Sequence, residues 1–144
     1  MPAPYKPEGF HTLTPNIISN RAHDLIAFLA KAFDAKVNVR LTLPSGALIH
    51  CEVQIGDSRL NIAQAMEGWP EHPLLAQIFV ADSAAIFAKA VAAGAQELEP
   101  VSDRPFGIRE GRLKDPFGNT WTVATMTEQL SPEEVQRRIN AHAS

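Results

Sequence analysis

Cysteine is almost absent from this sequence, since Cys51 is the one cysteine among 144 residues. A lone cysteine excludes a disulfide within the chain and fits a protein of the reducing cytoplasm. Ile49 and Val53 flank it at alternate positions of an apolar strand pattern. We therefore expect Cys51 to be a packed core residue, with a reactive thiol as the alternative.

Long apolar runs and an excess of one charge are also missing. The net charge is −3, so there is no basic surface of the kind that binds nucleic acid or an anionic membrane. No apolar run approaches the roughly 20 residues that span a bilayer. Residues 1–10 hold three prolines and no apolar signal segment, which predicts an extended arm. The sequence thus predicts neither a nucleic-acid partner nor a membrane partner.

Several motifs of well-known enzyme classes are absent as well. The sequence has no glycine-rich phosphate loop, no GxSxG nucleophile motif and no cysteine–histidine pair. No nucleophile is visible apart from Cys51, whose neighbours predict a core position. Covalent catalysis therefore has no candidate with independent support.

What the sequence does contain is one order of elements, β-α-β-β-β, that occurs twice. Gly56 and Gly118 hold the same place in this order, and so do Phe28 and Phe87. Their spacing of about 60 residues exceeds the roughly 20–50 residues of solenoid repeats, which indicates a duplicated module. The first module covers about residues 11–64, with strands 11–19, 36–43, 47–55 and 58–64. The second covers about residues 74–125, with strands 74–81, 96–101, 108–114 and 120–125.

Each module also contains one predicted helix, and a third helix follows the second module. Asn20 is a candidate N-cap for the first helix, residues 21–33, and Asp82 or Ser83 for the second. The third helix, residues 131–142, starts with Ser131 as N-cap, Pro132 at the first helical position and Glu134 closing a capping box.

These elements predict an α+β fold in a single domain of 144 residues. One module cannot bury both its helix and the second face of its sheet. We therefore expect two β-α-β-β-β modules to lie side by side and form a curved mixed sheet around a shared cleft. The arm 1–10 and the helix 131–142 flank these modules.

The chain resembles the vicinal oxygen chelate superfamily, which includes glyoxalase I, bleomycin-resistance proteins and extradiol dioxygenases. More narrowly, it resembles the PhnB-like, glyoxalase/bleomycin-resistance-like branch. The resemblance covers most of the chain and is specific for the fold rather than for an activity. The matching segments include residues 5–10 (YKPEGF), 49–52 (IHCE), 55–60 (IGDSRL), 92–95 (AAGA), 111–121 (GRLKDPFGNTW) and 131–134 (SPEE).

The resemblance implies a fixed set of positions for a metal ion. Metal enzymes of the superfamily carry one His or Glu on each of four strands facing the cleft, where the ion acts as a Lewis acid. None of the corresponding residues here is a His, Glu or Asp, so we predict no metal and no cofactor. The corresponding residues are Thr14 or Asn16, Asn61, Leu75 or Gln77, and Thr122.

Several side chains are candidates for contact with a small-molecule ligand. His50 shares a strand face with Glu52 and is the weak candidate for a general base; a solvent-facing polar pair is the alternative. Trp69 and Trp121 are able to stack on a flat ligand, although Trp121 also fits core packing. Arg109 is able to hold an anion, or to pair with acidic neighbours on an outer face. The remaining candidates are Asn16, Asn61, Gln77 and Thr122, whose polar groups need partners.

Three hypotheses about function follow from these residues. The first is a metal-free protein of the bleomycin-resistance kind, which binds a small, partly apolar molecule and forms a homodimer. Residues 2–7 and the last helix are the predicted dimer contacts. The second is a glyoxalase- or dioxygenase-type enzyme whose metal ligands lie at other positions. The third is a metal-free enzyme that uses His50 as a base.

Overall fold

In a computed structural model, which describes residues 2–143, the chain forms two compact units that divide between Leu74 and Leu75. Each unit has the predicted order β-α-β-β-β, and the predicted α+β class is confirmed. The first unit contains β1 (Asn16–Ser19), α1 (Ala22–Phe33), β2 (Lys36–Thr42), β3 (Leu48–Ile55) and β4 (Ser58–Gln64). The second contains β5 (Leu75–Phe79), α2 (Ser83–Ala92), β6 (Gln96–Asp103), β7 (Ile108–Lys114), β8 (Thr120–Met126) and then α3 (Pro132–Ala143).

The first unit has a mixed four-stranded sheet in the order β1-β4-β3-β2, with β1 parallel to β4. Cys51 and Ile17 both pair with Ile62, so these three apolar side chains share one face of the sheet. All three are buried on the side that α1 covers. Cys51 is therefore a packed core residue, and burial raises the pKa of its thiol.

Helix α1 forms because its apolar residues recur at helical spacing. Leu25, Leu29 and Ala32 lie on one stripe and are completely buried. The predicted cap Asn20 is wrong: Arg21 is the N-cap residue and no side chain caps it. The backbone N–H of Asn20 instead donates to Glu71 Oε2 at 2.9 Å. The first strand is also shorter than predicted, since it begins at Asn16 rather than at residue 11.

The second unit repeats this plan in the order β5-β8-β7-β6, with β5 parallel to β8. The predicted cap Asp82 is confirmed, because its carboxylate accepts from Ala85 N at 3.1 Å. Helix α2 lies close to the sheet at Gly111. A Cβ atom added there would come within 2.9 Å of the Phe87 ring, so glycine allows this close approach.

The terminal helix α3 begins as predicted, since Ser131 Oγ accepts from Glu134 N at 3.2 Å. The Glu134 carboxylate, however, accepts from Arg137 and Arg138 rather than closing the capping box. These guanidinium groups lower the pKa of Glu134 to about 2. No side chain of residues 132–143 is buried. Among the described residues, no helix is both long and apolar enough to cross a membrane.

Candidate functional site

A pocket of about 480 Å³ lies on the face of the first sheet that α1 does not cover. His50 and Glu52 on β3, together with Asn61 on β4, form its floor. Side chains alternate along a strand, so these residues point away from Cys51 and Val53 in the core. The prediction that His50 and Glu52 share a face is confirmed. The other lining residues come from the N-terminal arm: Tyr5, Lys6, Pro7, Phe10, His11, Thr12 and Thr14.

The arm is anchored over this face by Phe10, which is only 8% exposed. The Arg59 guanidinium carbon lies 5.2 Å from the centroid of the Phe10 ring, a cation–π contact. Lys6 Nζ donates to the Phe10 carbonyl at 2.7 Å. Pro15, which follows the arm, accepts from Asn61 N at 3.0 Å. These contacts make the arm a wall of the pocket. The arm is not extended throughout as predicted, because Phe10 N donates to the Pro7 carbonyl at 3.2 Å in a turn where Gly9 has a φ of +86°.

A row of polar side chains crosses the floor of the pocket. Asn16, Asn61 and Glu52 are cross-strand partners on β1, β4 and β3. His50 Nε2 lies 3.0 Å from Glu52 Oε2, and both side chains are half-buried. Within residues 2–143, Asn61 Oδ1 has no hydrogen-bond partner although solvent does not reach it. The row thus offers a hydrogen-bonded His–Glu pair beside an unused acceptor.

Two further candidates of the first unit lie outside this pocket. Asn16 is next to Asn61 on the sheet, but its amide donates to the Thr14 carbonyl at 3.1 Å and it does not line the pocket. Trp69 closes a tight turn with Met66, through backbone hydrogen bonds of 2.9 and 2.8 Å. Its side chain is 58% exposed. A ligand-binding role for Asn16 or Trp69 stays a prediction.

The second unit has a polar row of its own. Gln77 on β5 pairs with Thr122 on β8, which pairs in turn with Arg112 on β7. Arg112 forms an ion pair of 3.4 Å with Glu99 on β6. Gln77 is exposed, whereas Thr122 is buried. The structure therefore brings Gln77 and Thr122 together, with an arginine beside them.

Trp121 and Arg109 need correction as ligand-binding candidates, because both point to the opposite face of the second sheet. Trp121 is 3% exposed, and its indole N–H donates to Asp115 Oδ2 at 2.9 Å. Arg109 alternates with Gly111, which packs under α2, and pairs with Asp103 at 3.3 Å. The sequence had left core packing open for Trp121 and an acidic partner open for Arg109. Because side chains alternate along a strand, the structure favours core packing for Trp121 and the acidic partner for Arg109.

The positions that the family resemblance assigns to metal ligands carry neutral side chains in both sheets. Asn16 and Asn61 offer two amides, while Gln77 and Thr122 offer an amide and a hydroxyl. Without carboxylate or imidazole, such oxygens hold a divalent metal weakly. Among residues 2–143, no three His, Cys, Asp or Glu side chains are grouped so as to hold an ion. The amides and the hydroxyl at the four family positions are therefore poor ligands for the metal of the superfamily's enzymes.

The structure adds pocket residues that the sequence reasoning did not select. Glu52 was noted only as a partner of His50, and Thr14 only as a metal-ligand position. Tyr5 and Lys6 belong to residues 2–7, which were expected to contact a second copy of the chain, and Phe10 follows them in the same arm. Two isolated aromatic residues in a proline-rich arm give no periodic pattern, so no local signal could place Phe10 on the sheet.

Comparisons with known proteins agree with this architecture. A family model of the Glyoxalase/Bleomycin resistance protein/Dioxygenase superfamily matches residues 10–123. An uncharacterized protein of Mycobacterium bovis is 28% identical over 140 residues, covering 90% of this chain and 92% of the relative. A counterpart from Mycobacterium tuberculosis is also 28% identical over 140 residues, covering 90% of this chain and 82% of the relative.

Solved structures show the same fold at low sequence identity. TioX from Micromonospora sp. ML1 has a TM-score of 0.70 at 18% identity, with 81% of this chain and 98% of TioX covered. A PhnB protein from Bacillus cereus has a TM-score of 0.61 at 15% identity, with 80% of this chain and 99% of that protein covered. At these identities the likeness establishes the fold and leaves the function open.

Proposed function

We propose, from the premise that this chain belongs to the Glyoxalase/Bleomycin resistance protein/Dioxygenase superfamily, that it binds a small molecule without a metal ion. The first unit provides the site, between the β3–β4 floor and the N-terminal arm. The observation that carries this proposal is the pocket of about 480 Å³ with His50, Glu52 and Asn61 on its floor. Its volume lies within the range of about 300–1,000 Å³ that small-molecule sites occupy.

The chemistry of the lining supports a ligand that is partly apolar and partly polar. Tyr5, Pro7 and Phe10 provide apolar surface on the arm, while the floor provides hydrogen-bonding groups. Such a division is typical of sites that fix the orientation of a ligand through a few polar contacts. A ligand-binding role for Gln77 and Thr122, which belong to the second unit, stays a prediction, and so does the cytoplasmic location expected from the single cysteine.

A large side chain placed in the pocket should raise the dissociation constants of small-molecule ligands at least about tenfold. We expect ligands found in a fragment screen to shift the amide NMR signals of His50, Glu52 and Asn61. Replacing Thr14 by tryptophan would fill the pocket and weaken these ligands, because Thr14 lines it. The matched variant Thr42→Trp lies at the exposed end of β2 and should bind as the wild type does. Unchanged binding to Thr14→Trp would contradict the proposed site.

Metal analysis and activity measurements on the purified protein distinguish the alternative functions. Stoichiometric Zn, Ni, Fe or Mn in protein purified without chelator would favour a metal-dependent enzyme and contradict the metal-free proposal. A metal-free enzyme is the second candidate, because Glu52 Oε2 lies 3.0 Å from His50 Nε2 and so orients the imidazole as a candidate base. Conversion of a bound fragment that is lost in His50→Gln, while binding persists, would favour that candidate.

A homodimer is proposed as the assembly, with residues 2–7 and α3 as contacts. Tyr5 is 96% exposed, and Ile139 is an exposed apolar residue on α3. We expect light scattering to give twice the chain mass of 15.7 kDa at micromolar concentration. Tyr5→Ser with Ile139→Ser should shift the protein towards monomer, whereas Gln136→Ser on the same helix should not. A wild-type mass of a single chain would overturn this assembly.

A further inference from the structure

Asn61 has an unused hydrogen-bond acceptor at the floor of the pocket. Solvent does not reach its Oδ1 atom, and within the described residues no donor bonds to it. An acceptor that is shielded from water and left without a partner destabilises the folded protein. A ligand that supplies the missing donor would recover this free energy. The pocket therefore favours a donor at this point.

Glu52 adds a second acceptor, with a formal negative charge, directly beside the first. Glu52 and Asn61 are cross-strand partners on β3 and β4, which places their Cβ atoms about 4.5–5.5 Å apart. Of the two carboxylate oxygens, Oε2 is the one that contacts His50 Nε2. The other oxygen is a further acceptor, on the strand next to that of Asn61.

The cationic side chains near this pair are directed elsewhere. Lys6 Nζ donates to the Phe10 carbonyl, and the Arg59 guanidinium lies over the Phe10 ring while its Nε donates to Gln54. Neither cation forms an ion pair with Glu52. Apart from the contact of His50 with Glu52, the floor therefore offers acceptors to a ligand, next to apolar surface from the arm.

We propose that the ligand of this pocket is a small organic cation with a primary ammonium or amidinium group. Its N–H groups donate to Asn61 Oδ1 and to Glu52, and its apolar body lies against Pro7 and Phe10. This inference rests on the proposed binding function and deepens it by naming the ligand's charge and donor group. A charged donor is preferred over a neutral one because charge-assisted hydrogen bonds are roughly twice as strong.

Three probes of one size and different charge test the inference: benzylamine, benzyl alcohol and benzoate, each titrated at pH 7 and followed by amide NMR shifts. We expect benzylamine to bind at least about tenfold more tightly than the other two. Asn61→Leu and Glu52→Gln should each weaken benzylamine about tenfold and weaken benzyl alcohol, whose hydroxyl is a neutral donor, by a smaller factor. Two variants give independent answers if one of them fails to fold.

Matched substitutions outside the pocket control for general effects. Asn140→Leu on α3 and Asp57→Asn in the β3–β4 turn should leave benzylamine binding unchanged. The proposed cationic ligand would be overturned by tighter binding of benzoate or by equal binding of all three probes. It would also be overturned if Asn61→Leu and Glu52→Gln had no effect. None of these results would contradict the pocket itself. The cationic ligand is also overturned if fragments from the screen shift the NMR signals of the pocket residues but none of the three probes does. If no small molecule shifts these signals, both proposals fail.

Discussion

Replacing Asp115 by alanine should destabilise the second unit by about 3–5 kcal/mol. Asp115 is 3% exposed, and its carboxylate lies at the centre of the β7–β8 turn. It accepts four hydrogen bonds, each of 2.9 Å: from Phe117 N, from Asn119 N and Nδ2, and from Trp121 Nε1. Alanine removes the shared acceptor of these groups, and the turn and the start of β8 lose their anchor.

Urea unfolding followed by tryptophan fluorescence measures this effect. Trp121 is buried beside Asp115 while Trp69 is exposed, so the change in fluorescence on unfolding reports mainly on the second unit. Asp57→Ala is the matched control, because Asp57 occupies the corresponding turn of the first unit and is exposed. We expect it to change stability by no more than about 0.5 kcal/mol. An equally small effect for Asp115→Ala would show that the carboxylate is not the anchor.

Replacing Gly107 by alanine should also be strongly destabilising, by about 3 kcal/mol. Gly107 has a φ of +82°, a conformation that costs a residue with a side chain about 1–2 kcal/mol. A Cβ atom would also come within 2.7 Å of the Glu128 carbonyl oxygen. That oxygen belongs to the backbone, and Glu128 N is bonded to Gly107 O at 3.1 Å, so the segment cannot move away without losing this bond.

Gly68→Ala separates the two causes. Gly68 has a similar φ of +77°, but no atom lies within 4 Å of its added Cβ. We therefore expect a loss of only about 1–2 kcal/mol, the cost of the backbone conformation alone. Thermal unfolding of both variants, compared with the wild type, gives the difference. Equal losses for the two variants would mean that contact with Glu128 contributes nothing.

Much of the fold was predictable because its signals are local. Alternation of apolar residues identified β3, helical spacing identified α1, and the turn residues around Asp115 identified the β7–β8 hairpin. The duplicated order of elements then indicated the family, which the match over residues 10–123 confirms. Caps were less predictable: Asp82 and Ser131 act as expected, whereas Asn20 does not. A cap depends on the residue at which the helix begins, and α1 begins at Ala22, so Arg21 rather than Asn20 holds the N-cap position.

The candidate site was predictable only in part. His50 and Asn61 were selected as polar residues on apolar strands, and both line the pocket. Trp121 and Arg109 were selected by side-chain chemistry alone, and both belong to the face that α2 covers. Chemistry names residues that are able to bind a ligand, but the parity of a strand decides which way they point.

The sequence by itself determined the order of strands and helices and the neutral character of the positions that correspond to metal ligands. Each of these depends on residues that are near one another in the chain. Only the tertiary structure decided that the arm covers the β3–β4 face and that Asn61 keeps an unused acceptor beside Glu52. Both depend on contacts between distant segments, such as Phe10 with Arg59, and no local pattern encodes the free energy of such contacts.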